Sequence, residues 1–365
     1  MQAWSFSQYY DLKPARFMIF IFVLLFCGIK YIWDIYAHER KSFLSERVLL
    51  IFFATLAIVL SVQSEKFYLL IPLIIGIIVF NIPIAKILYK LCAVYMIFFF
   101  GTVLLSFIGV NNQTGLWGFY HANVASGYVV GVQVILALIS AYSPPKRNIC
   151  TFVSFLLVLL SILASSSAGV IVGLCITFVA FYGHKIKIAR HPILLICMTI
   201  FPLAMTYLLI SIYRISPLGV GGYLNRLLSS RLFIWDTTLK TFNLQLFPRE
   251  EAIVFDAGGG YTYTMPIDSI YISIPVSCGI VFFGMLLSLF YLFSLLSLKQ
   301  RILTKKEEGV ANVLFCLNVI MLIYGIVEVH AVEYQVNPLI FIIVIYLYKF
   351  FQTKKQNVFE FGIIS

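Results

Sequence analysis

The sequence predicts an all-α polytopic membrane protein of about eleven transmembrane helices, with one large extracytoplasmic loop containing an interfacial amphipathic helix. Three observations predict it. The 365-residue chain is 61% apolar and 11% charged, where soluble domains run at about 45–50% and about 25%. Apolar stretches of roughly the 20 residues that cross a bilayer as helix recur along its whole length. Lys and Arg gather in alternate connecting segments, as topology determinants do. With 26 Lys and Arg and 15 Asp and Glu, the chain cannot clothe a soluble surface of this size. A disulfide scaffold, a disordered tail and a nucleic-acid-binding domain are excluded with it.

The spans fall near 17–36, 47–63, 66–82, 87–110, 120–142, 150–164, 166–183, 193–213, 268–297, 310–328 and 336–352. The first 16 residues are mixed and aromatic, and no small-residue cleavage site follows Phe17, so a first membrane helix is expected rather than a cleaved signal. The sixth and seventh spans are short and joined by Ser165, Ser166 and Ser167, as in a tight hairpin. The ninth is long enough to tilt or to begin as an extramembrane helix. All of residues 1–365 form one integral membrane domain, and 214–267 is the loop between spans eight and nine.

Charge sets the orientation. Lys146 and Arg147, then Lys185, Lys187 and Arg190, then Lys299, Arg301, Lys305 and Lys306, and finally Lys349, Lys354 and Lys355 follow alternate spans. The intervening connections 111–119, 165–166 and 329–335 carry no Lys or Arg. The first set and the C-terminus are therefore expected in the cytoplasm, and the large loop outside. Parity puts the N-terminus outside, with Arg40, Lys41 and Arg47 inside; merging spans two and three would give ten helices and reverse it. The seven cysteines sit in or beside apolar segments without metal-ligand spacing, so they read as core fillers. No metal and no cofactor is expected, and no Walker loop or nucleotide-binding glycine pattern is present.

The loop carries Arg214, Arg226, Arg231, Lys240 and Arg249 against Asp236, Glu250, Glu251 and Asp256, a mixture of signs that suits a shaped site. Leu224, Leu227, Leu228, Arg231, Ile234, Trp235, Thr238, Leu239 and Phe242 recur at helical spacing, which predicts an amphipathic helix with its apolar side on the membrane. Ser229 or Ser230 would cap a helix beginning at Arg231. Arg226 and Arg231 are placed to fork onto phosphate at headgroup depth. Arg214 and Arg249 are either further phosphate ligands or ordinary solvated charges.

Asp268, at the start of span nine, either caps that helix or stands uncapped as a base. Glu328 ends span ten and is the strongest ionisable suspect at that boundary, with His330, Glu333 and Asn337 after it. The run Trp117-Gly118-Phe119-Tyr120-His121-Ala122-Asn123 suits either stacking on sugar rings or the interfacial aromatic belt.

Taken together, Leu224-Asn225-Arg226-Leu227-Leu228-Ser229-Ser230-Arg231-Leu232, the glycines 258–260, and Ile267-Asp268-Ser269-Ile270-Tyr271 through Cys278-Gly279-Ile280 resemble polysaccharide repeat-unit polymerases. These are the Wzy-type proteins of the O-antigen and capsule polymerase and ligase superfamily. Gly118-Phe119 with Asn123, and the Glu328 to Asn337 spacing, extend the likeness over roughly residues 115–345. Two positions depart from it. The family often has Gly where Ser230 stands, and many relatives carry an arginine after a serine where this chain reads Ser165-Ser166-Ser167-Ala168-Gly169.

The resemblance implies a membrane glycosyltransferase working on the outer face of a bacterial cytoplasmic membrane. Its donor would be a glycan on undecaprenyl diphosphate, its acceptor a lipid-linked repeat unit, and its leaving group lipid diphosphate, in capsule, O-antigen or exopolysaccharide synthesis. Asp268, Glu328 and Arg231 would be catalytic. Arg214, Arg226, Trp235, His121, Asn123, Tyr271, His330 and Asn337 would contact substrate. Membrane lipids, a chain-length regulator and a flippase are the implied partners. A lipid-linked glycan ligase shares the donor chemistry, although that branch usually has a histidine where Asp268 stands. A flippase or solute transporter is the rival of another class, and predicts charges and broken helices at mid-membrane.

Overall fold

The computed structural model describes residues 70–79, 82–108, 122–163, 167–186, 192–249, 255–256, 262–263, 267–299, 305–331 and 337–345. The predicted spans 17–36 and 47–63, the loop charges Arg40, Lys41 and Arg47, the glycines 258–260 and His121 lie outside the described residues. The described chain is mostly helical. α1 runs over Leu70–Val79, α2 over Ile84–Phe107, α3 over Ala122–Tyr142, α4 over Arg147–Leu163, α5 over Ser167–Tyr182 and α6 over Pro192–Ile215. Pro83, Pro144 and Pro192 stand at helix starts, where a missing N–H costs nothing.

Five helical stretches among the described residues are long and apolar enough to cross a membrane: Ile84–Phe107, Val124–Tyr142, Pro144–Leu163, Ser167–Lys185 and Leu195–Ile215. They match the predicted spans four to eight to within six residues at each end. The protein is thus a membrane-spanning helical protein; the eleven-span count extends beyond the described chain.

Lipid tails are as apolar as leucine, so burial alone does not hold such helices together; close packing and interhelical hydrogen bonds do. α3 is buried along nearly all of its length and forms the hub. Its Ser126, Gln133 and Ser140 recur every seventh residue and are all buried. Gln133 Nε2 donates to the Ser154 carbonyl of α4 at 2.9 Å, and Ser154 Oγ meets Thr177 Oγ1 of α5 at 2.8 Å. Ser140 Oγ donates to the Ala180 carbonyl of α5 at 2.9 Å. Gly173 leaves room for the Gln133 amide: a Cβ there would come within 2.8 Å of its Oε1. At the end of the bundle where α4 begins, Arg147 Nη1 and His184 Nε2 are 2.9 Å apart.

After α6 come two short helices, α7 at Val220–Leu227 and α8 at Arg231–Thr241. The helical periodicity that ran through 224–242 is therefore split at Ser229-Ser230. The apolar side of α8 is not free for the membrane either. Leu232 and Trp235 are buried with Ile210 of α6 and with Ile267, Ile272 and Val276, and Leu239 and Phe242 pack on the same cluster. A further antiparallel pair, β1 at Phe255–Asp256 and β2 at Thr262–Tyr263, has Phe255 opposite Tyr263 and Asp256 opposite Thr262.

Span nine is two helices, α9 at Ile270–Ser277 and α10 at Gly279–Lys299. Gly279 lies in the left-handed region with φ +85°, which ends α9 and redirects the chain. The redirection is sharp. Twelve residues of one continuous helix would separate Tyr271 from Phe283 by about 18 Å, yet their ring centroids are 6.0 Å apart, edge to face. The first amides of α10 do not go unpaired: Ile280 N–H donates to the Gln245 carbonyl at 2.9 Å and Val281 N–H to that of Leu246 at 3.1 Å. α10 pairs with α11, at Lys305–Tyr324, through Asn318 Nδ2, which donates to Ser294 Oγ at 2.6 Å and to the Phe290 carbonyl at 3.1 Å. A last buried helical stretch spans 339–345.

Candidate functional site

The site is assembled where α9 begins and α11 ends. Ile270 N–H donates to the Gly325 carbonyl at 2.9 Å, and Tyr271 Oη to that of Leu322 at 2.8 Å. These bonds tie the two helix ends together and so fix Asp268 and Glu328 as neighbours. The cap of α9 is Ser269, whose Oγ accepts the Tyr271 N–H at 3.3 Å. Asp268 is thus released from the capping role that was one of its two readings. Glu328 follows the turn after α11, with its N–H bonded to the Tyr324 carbonyl at 3.0 Å.

Arg231, the first residue of α8, enters between them. Its Nε donates to Asp268 Oδ2 at 3.2 Å and its Nη2 to Glu328 Oε1 at 2.9 Å. One guanidinium therefore bridges two carboxylates from separate parts of the chain, 37 and 97 residues away. The Glu328 side chain is 2% exposed and that of Asp268 27%. A carboxylate as buried as Glu328 is stable in its charged form only with a partner cation. The three groups carry a formal charge of −1, with the excess on the open Asp268 side.

Arg231 is presented by an unusual turn. Ser229 and Ser230 have φ +52° and +66°, the only non-glycine residues of positive φ among those described. Such a conformation costs an L-residue about 1–2 kcal/mol each. Glycine, with no Cβ, adopts the same conformation without that cost. Ser230 is the N-cap of α8 but makes no side-chain cap bond. Asn225 Oδ1 supplies it instead, accepting the Phe233 N–H at 3.0 Å.

The remaining arginines divide clearly. Arg214, at the end of α6, donates from Nε to Asp236 Oδ1 at 2.5 Å, and Lys240 Nζ to Asp236 Oδ2 at 2.6 Å. This pins α8 to α6. Burial works to raise the Asp236 pKa, but the bonds and charges of Lys240 and Arg214 outweigh it and hold the carboxyl below its ordinary value. Arg249 donates to the Asn243 carbonyl at 2.7 Å and lies over the Phe242 ring. Arg226 is exposed on the last turn of α7 and has no polar partner among the described residues.

Other expected contacts have packing roles. Trp235 and Tyr271 are fully buried, so their rings cannot stack on a sugar in this conformation. Tyr271 is instead a brace between α9 and α11. Asn337 is 3% exposed; it donates to the Ala331 carbonyl at 2.5 Å and accepts the Leu339 N–H at 3.0 Å, which caps the helical stretch 339–345. Asn123 lies in the first turn of α3 and His330 in a 3-10 turn at Val329–Ala331. The aromatic run 117–121 lies outside the described residues. Sequence reading did not single out Asn225 or Ser269. The signal for Ser269 is plain in retrospect, because Asp and Ser are adjacent and both are capping types. Comparison with protein-family models, curated proteins and solved structures finds no match for this chain.

Proposed function

We propose that the protein polymerises lipid-linked oligosaccharide repeat units on the outer face of a bacterial cytoplasmic membrane, as a capsule, O-antigen or exopolysaccharide polymerase. One observation carries the reading. A guanidinium holds an open and a buried carboxylate together at the end of a bundle of membrane-length helices, close in sequence to an exposed arginine with no polar partner among the described residues. The substrate would be a glycan on undecaprenyl diphosphate, and the acceptor a repeat unit on the same carrier.

In the transfer, an acceptor hydroxyl oxygen bonds to the anomeric carbon of the donor sugar. The bond from that carbon to the diphosphate oxygen breaks, and its electron pair leaves with lipid diphosphate. The hydroxyl proton passes to the Asp268 carboxylate, the more open of the two bridged acids. Arg231 is already neutralised by two acids, so it suits the orientation of Asp268 better than the binding of diphosphate. That anion falls to Arg226, which is exposed and has no polar partner among the described residues, so its guanidinium suits a forked contact. A preorganised cation there stabilises the charge developing on the leaving group. The donor is already activated, so the transfer needs no nucleotide.

Purified full-length protein incubated with lipid-linked repeat units should give a ladder of joined products. Asp268→Asn keeps an acceptor for Arg231 but cannot take the proton, and should lower elongation by about 10²-fold or more with the melting temperature preserved. A single transfer to a foreign acceptor would make the protein a ligase. Passage of repeats across vesicles without joining would make it a transporter. A fully active Asp268→Asn would remove that carboxylate from the chemistry.

A further inference from the structure

We infer that Asn225 is a positioning residue, which holds the strained Ser229-Ser230 turn so that Arg226 and Arg231 keep a fixed relation on its two sides. Strained backbone persists only where its surroundings over-determine it, and here the grip is traceable. The Asn225 carbonyl accepts the Ser230 N–H at 2.8 Å, and its side-chain oxygen accepts the Phe233 N–H at 3.0 Å. One residue of α7 thus bonds the second strained serine and the first turn of α8. The Ser229 N–H is held by the Arg226 carbonyl at 3.1 Å and the Arg231 N–H by that of Leu228 at 3.1 Å. All four acceptors lie within residues 225–228.

The consequence reaches the site. Ser230 offers no side-chain cap, so without the Asn225 side-chain oxygen the first turn of α8 has a free amide, and the turn that leads into it from the left-handed serines is held by its backbone bonds alone. Arg231 is the first residue of that turn. Its two bonds, to carboxylates anchored on other helices, need its backbone in one place. Arg226 follows Asn225 directly, so the same grip sets the backbone that carries the exposed Arg226 relative to the one that carries Arg231. As a statement about catalysis, this rests on the polymerase reading; as a statement about the turn, it does not.

Four variants of the full chain test it: Asn225→Ala, Asn225→Asp, Ser230→Gly, and Asn225→Ala with Ser230→Gly. Hydrogen exchange of the amides of residues 231–234 is measured beside melting temperature and elongation. Asn225→Ala should speed exchange of these amides and lower elongation by about tenfold, the scale of one lost helix cap. Asn225→Asp keeps the acceptor and should stay within about twofold of the parent in both. Glycine adopts the left-handed region without strain, so Ser230→Gly should restore most of the elongation lost in Asn225→Ala.

Unchanged exchange in Asn225→Ala would overturn the inference. So would an Asn225→Asp as impaired as the alanine variant, or the absence of rescue by Ser230→Gly. A parent protein that joins no repeat units would defeat the polymerase reading, and the exchange comparison would still decide whether Asn225 places α8.

Discussion

Glu328 and Asp268 share one guanidinium but not one environment, and the 2% against 27% exposure separates what each can do. Glu328 cannot touch a substrate without rearrangement; it anchors Arg231 from behind. Asp268 keeps a face open. Arg231→Ala should therefore be a stability mutation as well as a functional one. It removes the cation from a buried carboxylate and should cost about 3 kcal/mol or more. Arg231→Ala combined with Glu328→Gln should recover a large part of that, as read by thermal unfolding in one detergent. Additive losses in the double variant would show that the two side chains are not energetically coupled. These residues were legible in the sequence because charges at the ends of apolar segments are expensive and therefore conspicuous. Their division of labour was not, since burial depends on the ends of α9 and α11 meeting. Trp235 and Tyr271, implied as substrate contacts by the resemblance, are fully buried, which the sequence alone could not reveal because burial depends on the neighbours that fill the space around each ring.

At the level of elements, hydropathy located α2 to α6 well but missed the break between α9 and α10. Apolar segments tolerate glycine, so Gly279 alone did not announce a turn. Only the segment 245–247 lying against it makes the reason visible. Gly279→Ala should fail in two ways, because φ +85° is strained for alanine and its Cβ would come within 2.6–2.7 Å of the Phe247 and Leu246 backbone. A large loss of folded protein in detergent size-exclusion is expected, and a normal yield would contradict the packing of that loop. The α6–α8 clamp has its own signature. The Asp236 carboxyl is held below its ordinary value of 3.8, so its stabilisation is complete above that pH and is lost as pH falls through the lower, folded value. Trp235, next in sequence and fully buried, reports it. In a variant with Trp235 as the sole tryptophan, fluorescence should hold steady from pH 7 down to about 4 and shift only below it. Asp236→Asn should abolish that shift. Periodicity could not reveal which way α8 faces, because an apolar stripe looks the same whether lipid or protein covers it.

At the scale of the whole molecule, the basic residues Lys146, Arg147 and Lys185 mark one end of the bundle, and Arg231 with its two acids belongs to the other in the proposed topology. In a cysteine-free background, Leu218→Cys, at a position 98% exposed, should react with a membrane-impermeant maleimide in intact cells. Lys185→Cys should react only after permeabilisation. The opposite pattern would turn the site toward the cytosol and end the polymerase proposal. Charge alternation is what proposes this orientation, whereas the contacts that unite the helices were not legible in the sequence, since serines in apolar segments have many possible partners. Those contacts also constrain motion. Gln133, Ser154 and Thr177 form one hydrogen-bonded layer, and Ser140 with the Ala180 carbonyl forms another two turns away on α3. Sliding α3 or α5 by a single residue would misalign both layers together, and sliding α4 would misalign the first, with no water in the surrounding hydrocarbon to repair them. The trio is geared against shear and acts as a stator, against which the other elements of the chain are set.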